Sequence, residues 1–368
     1  MPEHILFLLD DLGSGGAQRQ MVNLAAGFRA KGIKVSCLVY HRNDFFLQDL
    51  LALRVEVTLL QLNHPLKRII RVRRFIRKGG FDVVIAFLGV PVFVAELAGI
   101  PFRRWKLLVG ERSNNPLIRK SVKSRFIRLF HLFADYVVSN SQANQQMVKS
   151  ILPFVSAEKF RIIYNGLDLR KYSPLVDYEF VKNGKFRMVV PASYRKLKNL
   201  IGLIEAVNLL AVAEKSRLIV DWYGDRTPFL HMDYILDEAE KLVADYQLEE
   251  VIHLNDASQQ IIKEIQQADA VGLFSFFEGL PNAVCEGMAC GKPIIASDVS
   301  DVPLLVEDKV NGVLCCAEDV ESIVTGLRYL MNATPETLSE MGRKGRIKAE
   351  KLFDQDMILE QYLDMMQN

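Results

Sequence analysis

Two carboxylates eight positions apart, Glu278 and Glu286, bracket the part of this 368-residue chain whose residue types and spacing best support chemistry. Between them runs Gly279-Leu280-Pro281-Asn282, a turn that should leave backbone N–H groups unpaired. A glycine turn feeding a helix start is an anion site, because unpaired amides and the positive end of the helix dipole face the ligand. Carboxylates flanking such a site would repel a phosphate. They suit hydroxyl-rich groups attached to one, such as a ribose and a sugar. The small residues Gly287, Ala289 and Gly291 follow, and then Lys292-Pro293-Ile294-Ile295-Ala296-Ser297, which reads as a strand. The segment therefore reads as a nucleotide-sugar site. In a chain with 44 acidic residues, the bare spacing would also arise from two solvated glutamates on a helix surface.

The whole string from Ser275 to Asp298 narrows this. It resembles the Glu-x7-Glu signature of retaining glycosyltransferases of the GT-B fold, family-four type. There Ser-x-x-Glu-Gly-x-Pro-Asn precedes Glu-Ala-Met-Ala-Cys-Gly-x-Pro-Val; Gly287 stands here in place of the usual alanine. The resemblance implies that Glu278 accepts hydrogen bonds from sugar hydroxyls and Glu286 from the ribose. The Gly279 and Leu280 amides, in a donor turn that includes Pro281 and Asn282, would hold the diphosphate with Lys198. It further implies a metal-independent transfer with retention, a nucleotide-sugar co-substrate (a UDP-sugar is expected) and no other cofactor. No DxD motif stands at a strand end.

Other segments carry the same resemblance. Gly13-Ser14-Gly15-Gly16 follows the first strand; it is either an ordinary tight turn or, as in the family, an approach of Gly15 and Gly16 to the donor diphosphate and sugar. It is not a GxGxxG dinucleotide fingerprint. In Pro191–Asn199 similar enzymes read Gly-Arg-Leu-x-x-x-Lys-Asn, whose cations neutralise the departing diphosphate. Lys198-Asn199 match, but Ser193 occupies the arginine position, and Arg195 or Lys196 would have to supply the charge. Arg226 replaces the second glycine expected after Tyr223-Gly224-Asp225. Asn255-Asp256 falls where the family places the base. In the first half, Gly110-Glu111-Arg112-Ser113-Asn114-Asn115-Pro116 lacks the histidine many relatives carry near the reacting centre. Glu111 and Arg112 would contact donor sugar or acceptor, or form a buried ion pair. His131, in a basic helix, and His41 and His64, in loops, carry no signal.

These residues need elements to position them. Both halves alternate β-rich runs with amphipathic helices, the pattern of a parallel sheet covered on both faces. Strands are expected at Ile5–Leu9, Lys34–Tyr40, Val55–Leu60, Val83–Phe87, Lys106–Val109 and Tyr136–Ser139, and again at Phe186–Pro191, Arg217–Tyr223, Val251–Leu254, Ala270–Phe274, Lys292–Ala296 and Gly312–Cys315. Helices are expected at Ala17–Lys31, Ser121–Phe133, Ser141–Leu152, Leu200–Glu214, Met232–Tyr246, Ser258–Ala268, Ala283–Ala289 and Val320–Met331. The fold class is α/β: GT-B, two Rossmann-like domains facing each other across a cleft, with ligands at the carboxyl ends of the strands. An N-terminal acceptor domain spans 1–174 and a C-terminal donor domain 175–351. A last helix, Leu352–Gln367 within 352–368, crosses back to the first domain.

Charge divides the same way. Residues 1–174 hold 27 Lys and Arg against 12 Asp and Glu, leaving 19 basic and 32 acidic residues in 175–368. Leu66–Lys78 and Ile118–Phe133 interleave basic and apolar residues at helical spacing. They read as an anionic membrane surface contact or as ordinary core faces with solvated charge. No nucleic-acid motif accompanies them. The N-terminus lacks a basic leader segment and reads as a buried first strand, and no apolar run is long enough to span a bilayer. Five cysteines without CxxC spacing suit a reduced, cytoplasmic protein, and the basic first half suits a peripheral place on the membrane's inner face. The expected function is transfer of a sugar to a glycan or lipid-linked acceptor in polysaccharide or glycolipid synthesis. A small-molecule acceptor, or a degenerate GT-B scaffold that has lost activity, is the alternative.

Overall fold

The computed structural model describes residues 1–13, 15–61, 64–112, 117–226 and 234–367. It divides into two compact units. One is Met1–Gly166 together with the segment from Phe353 onward; the other is Leu167–Leu352.

Among the described residues the first unit holds a seven-stranded parallel sheet: β1 (His4–Leu8), β2 (Lys34–Val39), β3 (Glu56–Leu59), β4 (Val83–Phe87), β5 (Lys106–Glu111), β6 (Tyr136–Ser139) and β7 (Phe160–Ile162). Its order is β3-β2-β1-β4-β5-β6-β7. β1 pairs on both sides, Ile5 opposite Val35 and Val83. The strand order reverses there, which opens a crevice outside the carboxyl ends of the strands. All of β4 is buried, as a strand covered on both faces must be.

The second unit repeats the plan with β8 (Phe186–Pro191), β9 (Leu218–Gly224), β10 (Ile252–Asp256), β11 (Ala270–Leu273), β12 (Ile294–Ser297) and β13 (Gly312–Cys315), in the order β10-β9-β8-β11-β12-β13. Here the reversal lies at β8, between β9 and β11.

The helix Gln355–Gln367 packs on Gly16–Ala30 within the first unit. Ile358, Leu359, Tyr362 and Leu363 are buried, and the Gln355 amide donates to the Asn23 carbonyl at 2.9 Å. Gly27 makes room for it, since a Cβ there would meet Leu359 at 2.9 Å.

Several element boundaries differ from the sequence reading. The segment expected as one helix at Ser121–Phe133 is an α-helix, Val122–Arg128, followed by a 3-10 turn, Leu129–Phe133. The expected Leu200–Glu214 helix stops at Asn208 and restarts at Val212, with Ala211 extended between them. The expected start of Met232–Tyr246 lies outside the described residues, and the helix runs over Leu236–Asp245. Helices not expected as elements include Leu47–Ala52, Gly89–Gly99, Val302–Leu305 and Pro335–Phe353, and the basic stretch Leu66–Lys78, read at helical spacing, is the helix Pro65–Lys78.

Candidate functional site

In the second unit, two loops meet at the carboxyl ends of β8 and β11. The first follows β8 and ends in a 3-10 turn, Lys196–Lys198. Asn199, left-handed at φ 57°, then caps the helix Leu200–Asn208. Its Oδ1 accepts from the Gly202 amide at 3.3 Å, and its Nδ2 donates to the Ala317 carbonyl at 2.8 Å. This buried cap fixes where Lys198 points. The second loop is Ser275–Pro281, tied to the first by the Phe276 amide donating to the Leu197 carbonyl at 2.9 Å.

The loops bring Lys198 and Glu278 together. Lys198 Nζ and Ser275 Oγ both donate to Glu278 Oε1, each at 2.6 Å, and the Glu278 amide donates to Ser300 Oγ at 3.1 Å. The side chains of Lys198 and Glu278 are 20% and 11% exposed. Both bonds land on Oε1, and among the described residues no side chain takes Oε2. An ammonium has three donors, of which this bond uses one. The arrangement can therefore offer acceptor and donor capacity side by side.

The turn from Gly279 to Pro281 leads into the helix Asn282–Ala289, whose first residue is Asn282. Pro281 is its N-cap and supplies no side-chain cap, and the first turn carries no acidic residue. The amide end is thus uncapped by Pro281 on the side where an anion would be attracted. Leu280 is buried and anchors the turn. Glu286, four residues after Asn282 on the same helical face, is only 2% exposed. Burial raises the Cys285 and Cys290 thiol pKa values, with the Glu286 charge adding to it, and Cys290 reaches about 12. Gly287, the departure from the family string, has a steric cause. A Cβ there would meet Ile294 and Val271 at 2.8 and 2.9 Å, so this chain's neighbours leave no room for alanine.

The other expected donor residues lie on the β9–β10 side. The Ser193 carbonyl accepts from the Arg195 amide at 2.8 Å, and Arg195 forms a backbone bridge with Tyr234. The buried Tyr194 hydroxyl donates to the Asn255 carbonyl at 2.7 Å, while Asn255 Nδ2 turns back to the His253 carbonyl at 3.2 Å. Arg226 donates to the Leu254 carbonyl at 2.9 Å and pairs with Glu240. Its place beyond Gly224 is thus structural, for Gly224 itself lies where a Cβ would strike the Ala192 carbonyl.

In the first unit, Gly15 is the N-cap of Gly16–Ala30 and offers no side-chain cap. The Gly13 amide and the Gln18 side chain both donate to Asp11 Oδ1, at 2.8 and 3.1 Å. Ser14 lies outside the described residues, as do Ser113, Asn114, Asn115 and Pro116.

Glu111 and Arg112 do not pair with each other. Arg112 stacks over the Phe87 ring, 4.2 Å from its centroid, and bonds Asn165 and the Tyr362 hydroxyl. Glu111 instead takes Arg128 on Oε2 at 2.8 Å and His131 Nε2 on Oε1 at 3.0 Å, while His131 Nδ1 meets Glu96 Oε1 at 2.7 Å. Both oxygens of Glu111 are engaged. All four side chains are buried. Burial pulls the His131 pKa down, but the two carboxylates outweigh it and hold it at about 9. Burial also raises Glu96. It acts the same way on Glu111, where His131 and Arg128 prevail and lower the pKa. His131, read from sequence as bland, is the centre of this network. The one sequence signal that could have found it is its spacing three residues after Arg128.

A second cluster that the sequence did not single out sits after β1 and β2. Tyr40 bonds Asp10, and Arg68 lies over the Tyr40 ring at 4.2 Å and reaches His41 Nε2 at 3.3 Å. Burial raises the Asp10 pKa against the Tyr40 hydrogen bond. Part of the basic charge read as a surface is therefore internal wiring. Arg73 and Arg77 likewise bond carbonyls between residues 97 and 102, and Arg128 is buried. Lys67, Arg71, Arg74, Lys78, Arg119, Lys120, Lys123 and Arg125 remain exposed, beside exposed Leu66, Ile70, Val122 and Phe126. Among the described residues no cluster of His, Cys, Asp or Glu could hold a metal ion, and no helix is long and apolar enough to cross a membrane.

Comparison with known proteins gives matches over both units. Residues 178–348 match the family described as Glycosyl transferases group 1, and residues 14–171 match Glycosyltransferase Family 4. The chain is 23% identical over 342 residues to a Campylobacter jejuni N-acetylgalactosamine-N,N'-diacetylbacillosaminyl-diphospho-undecaprenol 4-alpha-N-acetylgalactosaminyltransferase, covering 87% of this chain and 88% of that one. It is 22% identical over 347 residues to an Escherichia coli UDP-Gal:alpha-D-GlcNAc-diphosphoundecaprenol alpha-1,3-galactosyltransferase, covering 84% and 82%. Among solved structures, Anabaena Alr3699/HepE in complex with UDP superposes with a TM-score of 0.85 at 20% identity, covering 99% of each chain. The shared architecture is GT-B.

Proposed function

The chain belongs to the group 1 and family 4 glycosyltransferases, and on that premise we propose that it moves a sugar from a UDP-sugar to a hydroxyl of a lipid-linked or glycan acceptor, with retention of configuration and without a metal. The observation that carries this reading is the Lys198–Glu278–Ser275 constellation, set beside a helix start that Pro281 leaves uncapped. Lys198 and the Gly279 and Leu280 amides hold the diphosphate. Glu278 orders the sugar hydroxyls and Glu286 the ribose. No protein nucleophile is required: the departing phosphate oxygen takes the acceptor proton, and the protein contributes position and charge stabilisation.

The UDP donor is supported by the names of the Escherichia coli relative and the Anabaena complex, and the lipid-linked acceptor by the two diphospho-undecaprenol relatives. An acceptor held at a membrane gives the exposed basic and apolar residues of Pro65–Lys78 and 119–126 a purpose: an anionic membrane surface. Co-sedimentation with anionic but not neutral vesicles is the expected result, and equal pelleting with both would sink this part.

The test of the site is a thermal-shift screen of UDP, GDP and ADP and then their sugar conjugates, since selective ligands stabilise in proportion to occupancy. A shift with UDP alone is expected. Glu286→Ala should abolish most of it, and an unchanged shift in that variant would show the ribose assignment to be wrong. No shift with any nucleotide would leave a degenerate scaffold as the better reading.

A further inference from the structure

A cavity of about 410 Å³ opens in the second unit at the carboxyl ends of β12 and β13. It lies across β11 from the β9–β10 side that holds Asn255. One wall is Phe276, two residues before Glu278, which is 38% exposed and whose amide donates to the Leu197 carbonyl. The other walls are Asp298, Cys316, Glu318 and Ser322. Ser322 Oγ already accepts from the Cys316 amide at 2.9 Å, so its hydroxyl proton remains to be donated.

Among the described residues the lining carries two carboxylates and no cation, so a phosphate or carboxylate ligand would be repelled. An aromatic wall, carboxylate acceptors and one hydroxyl donor match the C–H face and hydroxyls of an uncharged pyranose ring. The volume falls within the ~300–1,000 Å³ of small-molecule sites. We propose that this cavity is a second carbohydrate subsite, taking a neutral pyranose ring, and its binding does not rest on the transfer reaction proposed above.

The cavity carries its own reporter. Cys316 is the exposed cysteine, while Cys37, Cys285, Cys290 and Cys315 are buried, so iodoacetamide should label Cys316 first. Neutral methyl hexopyranosides should slow that labelling, roughly threefold at about twice their Kd by simple occupancy. Glucuronate should not. Asp298→Asn with Glu318→Gln should remove the protection, and Phe276→Ala should weaken it. Glu278→Gln, at the donor site, should leave it intact. The proposal fails if no glycoside slows labelling up to its solubility limit, if glucuronate protects equally, or if protection is lost in Glu278→Gln and survives in the double variant. None of these outcomes depends on nucleotide binding, which the thermal-shift screen reads separately.

Discussion

Each unit contains a carboxylate held by a cation, and the two are built differently. Glu278 meets Lys198 and Ser275 through one oxygen, at a loop junction that solvent reaches. Glu111 meets Arg128 and His131 through both oxygens, and its partner His131 has both ring nitrogens engaged. The first arrangement keeps capacity for a ligand. The second is buried and spent on the fold, joining β5, the helix Gly89–Gly99 and the 122–133 segment. Perturbed titration marks the second cluster, while geometry with capacity to spare marks the first. A strongly shifted group is a functional candidate only when it can also reach a ligand.

The sharpest way to break this contrast is to remove His131. His131→Ala leaves two buried carboxylates facing each other with only Arg128 to compensate. Breaking a buried pair in this way costs about 3–5 kcal/mol, which should appear as a large fall in the urea midpoint of the first unit's unfolding. If the variant keeps its stability and loses only turnover, the network belongs to the chemistry and the comparison is wrong.

Glu278→Gln should do the reverse. It keeps the shape, replaces a charge-assisted bond with a neutral one and weakens the sugar contact. Turnover of the donor should fall by roughly 10²–10³, in the range of losing one preorganised polar contact, while the unfolding midpoint moves little. A full-strength enzyme would remove Glu278 from the site.

The pH dependence separates the clusters again. His131 has a pKa of about 9 when folded against an ordinary 6.5. A raised pKa stabilises the fold fully below about 6.5, and this contribution drains away as pH rises through 9, at about 1.4 kcal/mol per pH unit. The charged groups facing it are Glu96, Glu111 and Arg128. Glu96, also raised, loses its contribution in the same direction as pH rises above its ordinary range; Glu111, lowered, loses stability only in acid. Hydrogen exchange of β5 and β6 amides, corrected for intrinsic rates, should accelerate between pH 6.5 and 9. The same change in the second unit's β11 amides would show that His131 is not its source.

What the sequence made legible follows from range. Strands such as Val83–Phe87 and Gly312–Cys315 were readable because burial on both faces writes a continuous apolar run. The meeting of Lys198 with Glu278 rested on family resemblance, because no local pattern links positions 80 apart. Gly89–Gly99 escaped notice because Val90, Val92 and Val94 alternate like a strand and glycines stand at both ends; packing against Pro65–Lys78 overrides that preference. Glu111 was read beside its neighbour Arg112, yet the fold spends Arg112 on Phe87 and Tyr362 and brings Arg128 from 17 residues away. Sequence proximity favoured the wrong cation, because β5 ends at Glu111 and the chain beyond it sends Arg112 elsewhere.

The smallest effect tests how far the two clusters differ in tolerance. Ser275→Ala removes one of the two bonds to Glu278 Oε1 and leaves Lys198 in place. A hydrogen bond to a charged group contributes about 1.5–3 kcal/mol when its loss strands the partner. Ser275 is itself buried, but the carboxylate is part-exposed and Lys198 still holds Oε1, so the remaining bond and solvent on the carboxylate offset most of the loss. The expected loss in kcat/KM is therefore only about three- to tenfold, carried by KM for the donor. At the buried network no water is at hand, and the loss of one partner strands the other. A Ser275→Ala variant as impaired as Glu278→Gln would mean that water does not reach the carboxylate, and that the site is as closed as the cluster it has been set against.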